Sequence, residues 1–477
     1  MDYQKENEQL KQRIKELEAA LAAAQKQIAE LSALLNQNSR NSNWPSSRDK
    51  SRKRKKRTRS LRQKSDKKPG GQEGHPGQTL EISQTPDVIT PHRPEVCDHC
   101  AQPFTEEQRA VAIDRRQVHD LPPLRIVVTE HQAETLICPH CRQLSQGTFP
   151  QDVIAPVQYG PGIQQLAVYL KTEQYVPFDR SRRFFVDLFD LNLSPGTLQN
   201  IMARAARRLR PVVKQIKMAL IASPILHCDE SGFYIGGQRH WLHVTATGRL
   251  TCYFPHRSRG SKAITAMGIL TTFQGRAIHD SWPAYYRHQQ GQHGLCNVHH
   301  LRELTAVVEN EEQPWAQRFM WFLLSAKQAV DQARLAGATA LPSPKIAQIE
   351  RLYDRLVTVA LRANPPPAGG WPRGQRGKPK KTKPRNLAER FQQRRQEVLA
   401  FVYDFKVPFD NNLAERDIRM LKVQQKISGC FRSTEGAQDF CTIRSYLSTM
   451  RKQGVSVWSA LGSLFAGDVL MPDLTPI

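Results

Sequence analysis

The chain has 477 residues, more than one hydrophobic core usually serves, so two or three folded units are expected. Its 69 Lys and Arg against 44 Asp and Glu leave a formal charge of +25, an excess that points to a polyanionic partner, either nucleic acid or an anionic membrane surface. No stretch approaches the roughly 18 apolar residues of a spanning helix, and the charged start Met1–Glu6 is not a secretory signal. Nine cysteines, an odd number without an export signal, argue against a disulfide framework and for a reducing cytosol.

Residues 3–35 carry heptads. Ile14, Leu21, Ile28 and Leu35 occupy one core position, and Leu10, Leu17, Ala24 and Leu31 the other. The steps alternate four and three, the period of a left-handed coiled coil, and Ile at one position with Leu at the other favours a parallel homodimer with Asn7 setting register. The alternative is an amphipathic helix packed on its own chain. Asn36 to Pro45 break the pattern.

Residues 48–68 hold 13 cations, among them Arg52, Lys53, Arg54, Lys55, Lys56 and Arg57, against Asp49 and Asp66. Such a block cannot bury itself; on DNA it would neutralise phosphates without choosing a sequence, and otherwise it is a solvated linker. Gly70 to Gly77 then form a joint. Cys97-x2-Cys100 and Cys138-x2-Cys141 follow, 37 residues apart. Two such knuckles supply four thiolates for one structural Zn2+ in a zinc-ribbon-like unit, with four buried thiols as the alternative. A β-like run from Arg125 to Ile137 is expected to return the second knuckle to the first by a hairpin, with His99 and His140 as bystanders.

From Gly160 to Arg210 the periodicity is helical, with three helices expected: one through Ile163, Leu166, Ala167 and Leu170, then 181–188 and 195–209. The link at 190–195, with Ser194 as N-cap and Pro195 at the first helical position, fits a helix-turn-helix joint whose second helix presents Thr197, Gln199 and Asn200 to base edges; an ordinary helical subdomain fits as well.

At about residue 225 the pattern becomes β-like. Pro224–Ile235 is expected as a strand containing Asp229, Trp241–Thr245 and Leu250–Phe254 as its meander partners, Ser261–Leu270 as a helix, and Arg276–Asp280 as a fourth strand ending on a carboxylate. That is the order of an RNase H-like core. A third acid, Glu415, opens a helix that Asp410 or one of the following asparagines can cap. Leu413, Met420, Val423 and Ile427 are expected to form its buried side, leaving Glu415, Arg419, Lys422 and Lys426 opposite, with Arg416 beside them. Three acids repel one another unless hard cations neutralise them. Two Mg2+ ions (Mn2+ serves as well) about 4 Å apart activate an attacking oxygen and stabilise a leaving one in phosphodiester cleavage.

The stretches His227-Cys-Asp-Glu-Ser-Gly-Phe233, His279-Asp-Ser-Trp282, Leu295-Cys-Asn-Val-His-His-Leu-Arg-Glu-Leu304, Pro408-Phe-Asp-Asn-Asn-Leu-Ala-Glu-Arg416 and Lys426-Ile-Ser-Gly-Cys-Phe-Arg-Ser433 resemble the IS66-type insertion-sequence transposases, of the aspartate-aspartate-glutamate class. Lys68-Pro-Gly-Gly-Gln-Glu-Gly-His-Pro-Gly77 and the CxxC pairs extend the likeness upstream. The resemblance implies that Asp229, Asp280 and Glu415 are the metal-binding catalytic triad, that the DNA substrates are terminal inverted repeats and a target, and that small accessory proteins of the same element take part.

The expected architecture is multidomain α+β: coiled coil (1–38), basic flexible linker (39–88), zinc-binding domain (89–150), helical helix-turn-helix-like region (151–215), RNase H-like α/β catalytic core in two parts (216–310 and 401–455), a helical insertion with a basic linker (311–400) and a C-terminal tail (456–477). Seven cations from Arg373 to Arg385 lie in the linker expected at 363–386. His293, Cys296, His299 and His300 also cluster; on one helix they could not all face one ion, so a buried Cys296 with one or both histidines near the acids is favoured over a second zinc site. The expected function is metal-dependent cleavage and strand transfer at element ends, in the cytoplasm at the nucleoid. The rivals are a DNA-binding regulator without catalysis and an RNase H-like nuclease.

Overall fold

The computed structural model describes residues 2–35, 37, 80–288, 290–366 and 381–475. The basic run at 48–68, with Arg52 to Arg57, and linker residues 367–380 lie outside the described residues. The chain divides into two compact units, 51–131 and the remainder. That boundary falls inside the stretch expected as one zinc-binding domain, so Cys97 and Cys100 belong to one unit and Cys138 and Cys141 to the other.

Helix α1 (Asp2–Leu35) covers the heptad segment. Ile14, Leu17, Leu21, Ile28, Leu31 and Leu35 all remain 55–65% exposed, so its apolar seam is uncovered in the single chain. Strands β1 (Thr135–Ile137) and β2 (Leu144–Gln146) form a short hairpin around the second knuckle. The longer strand expected from Arg125 does not form: 125–134 contain no regular element, and their apolar side chains Val127 and Val128 are exposed, with no partner strand to reward extension.

Helices α2 (Pro161–Thr172), α3 (Phe178–Phe189) and α4 (Pro195–Ile221) follow. Ser194 caps α4 as expected, its Oγ accepting the Thr197 N–H at 3.0 Å. The helix runs 12 residues beyond the expected Leu209 and carries Pro211 inside it. An interior proline costs about 3 kcal/mol, but Val212, Ile216, Ala219 and Leu220 extend the buried stripe and offset it. These helices share one hydrophobic core with the sheet, since Met202, Leu209 and Ile216 cluster with Leu226, Cys252 and Tyr446.

The main sheet contains β3 (Ile225–Ile235), β4 (Gln238–Ala246), β5 (Thr251–His256), β6 (Arg276–His279) and β7 (Gln292–Leu295), in the order β5-β4-β3-β6-β7. Strand β4 is antiparallel to both β3 and β5; β6 runs parallel to β3, and β7 parallel to β6. Helix α5 (Ser261–Met267) makes the crossover, ending three residues earlier than expected at Gly268, which adopts φ +73°. The alternation of side chains along β3–β5 made these strands legible in the sequence; β7, four residues with a central glycine, carried no such signal.

Helices α6 (Asn297–Glu311), α7 (Pro314–Leu335), α8 (Ser343–Ala363) and α9 (Lys383–Gln393) and the short α10 (Arg395–Val398) and α11 (Ala400–Tyr403) form the insertion. Phe319 stacks on Phe391 at 4.2 Å, Tyr353 meets Phe319 edge-on, and Ile278 and Leu295 of the sheet join this second core. The basic linker is shorter than expected because α9 starts at Lys383. Arg385 is committed to Glu389 and to the carbonyls of Leu361 and Asn364, which fixes the helix rather than leaving a cation for DNA.

Helix α12 (Asn412–Ser428) carries Glu415, and α13 (Thr434–Lys452) packs against α4 and β5. The residues expected as a tail instead form α14 (Val457–Ala466), whose Val457, Ala460, Leu461 and Leu464 are buried in the first core at helical spacing.

Candidate active site

Three elements deliver three acids. Asp229 sits midway along the central strand β3. Its Oδ1 accepts the Glu230 N–H at 2.8 Å. Asp280 follows the last residue of β6. Ser281 next to it adopts φ +71°, unusual for a residue with a Cβ. That turn lets Trp282 N–H donate to Asp280 Oδ1 at 3.0 Å, while Ser281 N–H donates to His279 Nδ1 at 3.1 Å.

Glu415 lies in the first turn of α12, and that turn is fastened to the sheet through Asn411. The Asn411 amide donates to the Cys228 carbonyl at 2.8 Å, and its Oδ1 accepts from His227 Nδ1 at 2.9 Å. Its backbone N–H points at Cys296 Sγ, 3.2 Å away. Asn411 is thus spent on tertiary bonds and caps nothing; Asp410 Oδ1 accepts the Asn412 N–H at 3.0 Å.

Asp229 feels the charges of both other expected acids, Asp280 and Glu415. Burial pushes the Asp229 carboxyl well above the usual range, and the negative charges of Glu230, Asp280 and Glu415 add to the rise. Glu415 Oε1 is buried without a hydrogen-bond partner, and so is His299 Nδ1, 3.7 Å from it; Arg302 Nη2 stands 4.0 Å from Glu415 Oε2. Carboxylates that share one field, as Asp229 does with Asp280 and Glu415, are oxygen donors of the kind that hard divalent cations satisfy; the ligand atoms that converge within 4.8 Å are those of Cys296, His299 and Glu415.

Helix α12 is turned relative to the expectation. Its buried face is Ala414, Ile418, Met420, Leu421 and Gln424, while Val423 and Ile427 are more than 40% exposed. The small Ala414 starts the real stripe, and the rotation leaves the half-buried Glu415 on its flank, beside His299 and Arg302. Arg416, Arg419 and Lys426 are exposed; Lys422 Nζ instead donates to the Gly232 carbonyl at 2.9 Å. At the start of α4, the Thr197 hydroxyl lies 2.9 Å from that of Ser194, and Gln199 lies against Gly436 at the start of α13, so two of the three expected base-reading side chains already have intramolecular neighbours, while Asn200 is exposed.

Glu230 is a site residue that sequence reasoning passed over. Its side chain is 1% exposed, Arg259 Nε bonds Oε1 at 2.8 Å, and the Tyr285 hydroxyl donates to Oε2 at 2.6 Å. The Arg259 guanidinium sits 3.9 Å from the Trp282 ring centre and 5.0 Å from that of Trp241. This cluster braces the loop after Asp280. Its only sequence signal was an acid next to Asp229.

The histidine cluster separates. His293 lies on β7, with Nδ1 3.0 Å from His279 Nε2. His300 is buried against Phe391 and Asn297. Cys296 precedes α6, His299 lies in its first turn, and both approach Glu415. His227, His243, His279 and His300 are buried and held below the ordinary imidazole value of 6.5, His243 at about 4, with burial the largest cause in each. The unfolded chain takes up those protons near 6.5, whereas the folded one resists until lower pH. Their stability contribution is therefore full above 6.5 and lost as pH falls toward 4. The raised acids Asp229 and Glu230 act in the opposite direction but are outnumbered. Thermal melts in magnesium-free buffer should show Tm falling steadily from pH 6.5 to pH 4; a flat profile would contradict this.

Each knuckle forms a tight turn of its own. Cys97 N–H bonds the Gln102 carbonyl and Cys138 N–H the Gln143 carbonyl, both at 2.8 Å. Backbone N–H groups, led by those of His99 and Cys141 respectively, lower the Cys97 and Cys138 thiols. His99 thus contributes its backbone to the turn.

The model of the IS66 transposase family matches residues 156–439, more than half of the chain, spanning all three acids. The chain belongs to the IS66 transposase family. Its matched span begins just before α2 and ends within α13, so the three-helix region and the insertion both lie inside the family unit. A family of unknown function, DUF6444, matches residues 2–81 of this IS66-family transposase, the heptad helix and the basic run. No curated protein matches the chain. Among the described residues no helix is long and apolar enough to cross a membrane.

Proposed function

We propose that this IS66-family chain cleaves the ends of its element and joins them to target DNA at Asp229, Asp280 and Glu415. The observation that carries the reading is the shared electrostatic environment of these three acids, with an unsatisfied Glu415 oxygen among them. The order β5-β4-β3-β6-β7, with the acids on the first strand, after the fourth strand and on a later helix, supports an RNase H-like core. Two magnesium ions (manganese serves as well) held by the three carboxylates would supply Lewis acidity to the attacking and leaving oxygens.

The chain's own residues do the remaining work. The Glu230 and Trp282 N–H groups aim the two aspartates, and Asn411 ties the start of α12 to β3 so that Glu415 meets them. Exposed Arg416, Arg419 and Lys426 offer cations to a phosphate backbone next to the site. The basic arm with Arg52 to Arg57, and Thr197 and Gln199 at the α4 terminus, remain proposed DNA contacts. The uncovered α1 seam supports a homodimer, accessory proteins of the element are proposed partners, and structural zinc at Cys97, Cys100, Cys138 and Cys141 is proposed from the spacing of the cysteines alone. Such an enzyme works in the cytoplasm, at the nucleoid.

The test is magnesium-dependent nicking and joining of DNA carrying the element ends by wild type and by Asp280→Asn. Loss of both steps in the variant is expected; equal activity would reject the assignment and leave a DNA-binding regulator. Nicking without joining would favour a nuclease.

A further inference from the structure

We propose that Cys296, His299 and Glu415 form a site for one borderline divalent cation, with Zn2+ as the best match, separate from the magnesium pair except for the shared Glu415. Cys296 stands at the N-terminus of α6, His299 in the first turn of that helix, and Glu415 in the first turn of α12. One ligand atom from each lies within 4.8 Å of the others. Two of the three are visibly unsatisfied, since His299 Nδ1 and Glu415 Oε1 are buried, face each other at 3.7 Å and have no hydrogen-bond partner. Stranding two buried polar atoms is costly, and a cation between them removes the cost. The third ligand is prepared differently: Asn411 N–H points at Cys296 Sγ from 3.2 Å, the kind of donor that stabilises a thiolate.

The donor set chooses the ion. Sulfur, nitrogen and oxygen together suit zinc and disfavour magnesium, which wants oxygen alone. Three protein ligands leave a fourth position open. Burial holds the Cys296 thiol up at about 12, so without a cation it keeps its proton. Binding therefore exchanges that proton for the metal: the thiol S–H breaks, a sulfur–zinc bond forms, and one proton leaves to solvent. No electron moves. Burial lowers the His299 pKa against the opposing pull of Glu415 and Asp280, the direction that favours the neutral ring a metal binds. Zinc seated here draws on the carboxylate that the proposed magnesium pair needs, which makes the site inhibitory to cleavage.

The experiment measures zinc per chain by atomic emission, using the full chain loaded with zinc and then gel-filtered. Wild type is compared with Cys296→Ser, His299→Gln and Glu415→Gln, each nearly isosteric, and with Asp229→Asn outside the trio. All five keep the knuckle cysteines, so zinc bound there is common to all. The expected result is one equivalent less in each of the three trio variants and no loss in Asp229→Asn. Loss in fewer than two of the three overturns the proposal. Folding is checked by near-ultraviolet circular dichroism, and cobalt substitution gives a second readout, with a thiolate charge-transfer band that weakens in Cys296→Ser. The site goes beyond the proposed reaction but borrows Glu415 from it, and the two fail separately. Unchanged zinc with nicking lost in Asp280→Asn removes only the zinc site; unchanged nicking in Asp280→Asn removes the catalytic reading whatever the zinc count.

Discussion

Asp229→Asn is expected to abolish cleavage and, in magnesium-free buffer at neutral pH, to make the protein harder to unfold. Loss of one member of a catalytic unit costs roughly 10⁴-fold or more in rate. The gain in stability follows from the same geometry. The folded carboxyl holds its proton above the ordinary value of 3.8, because burial and three neighbouring acids oppose its charge. A group of this kind loses stability as pH rises from its unfolded value through its folded one, and at neutral pH the ionised form bears the loss. Asparagine keeps the oxygen that accepts the Glu230 N–H and removes the charge. A gain of about 0.5–2 kcal/mol, the usual size for a single stabilising change, is expected. The two proteins should converge below about pH 4, where the native carboxyl is protonated in both states. Magnesium should raise the Tm of wild type and leave the variant unmoved. A variant that melts below wild type without metal at pH 7 would contradict the repulsion.

Asn411→Leu should destabilise the fold and remove cleavage together. Leucine orphans the buried Cys228 carbonyl and the His227 Nδ1–H. Each stranded group costs about 1–3 kcal/mol, so a total of roughly 2–6 kcal/mol is expected from urea unfolding. The activity loss should exceed the unfolded fraction, because the start of α12 is no longer pinned beside β3 and Glu415 moves with it. Asp410→Ala serves as the contrast. It removes only the exposed bond to the Asn412 N–H, worth about 0.5–1 kcal/mol at a helix end, and Glu415 keeps its tether. Equal defects in the two variants would show that Asn411 has no special positioning role.

How much of this was legible in the sequence depended on whether the signal was local. Strands β3, β4 and β5 announce themselves by alternation, and α4 by Ser194-Pro195, because both patterns sit within a few neighbouring residues. Asp229 was found as an acid on β3, Asp280 as the acid that ends the run at 276–280, and Glu415 as the acid opening a basic helix. What failed was non-local. The burial pattern of α12 is set by what it packs against, so exposed Val423 and Ile427 read as core and small Ala414 did not. The role of Asn411 rests on partners more than 180 residues away. The knuckle segments suggested a long hairpin because valines favour strands, but only three residues on each side pair. Residues 456–466 looked like a tail, as their partners in the first core lie far upstream.

The insertion also sets a timetable. Asp229 and Asp280 leave the ribosome early, and 135 further positions must be added before Glu415 appears. At about 5–20 residues per second, that is roughly 7–27 seconds in which a nascent polypeptide owns two acids and no third. Helix α13, which fills the core between α4 and β5, emerges later still. Truncated translation products that stop between β7 and Glu415 therefore hold β3 to β7 without Glu415 or α13, and the first core, which takes Ile443, Tyr446 and Leu447 from α13, stays incomplete in them.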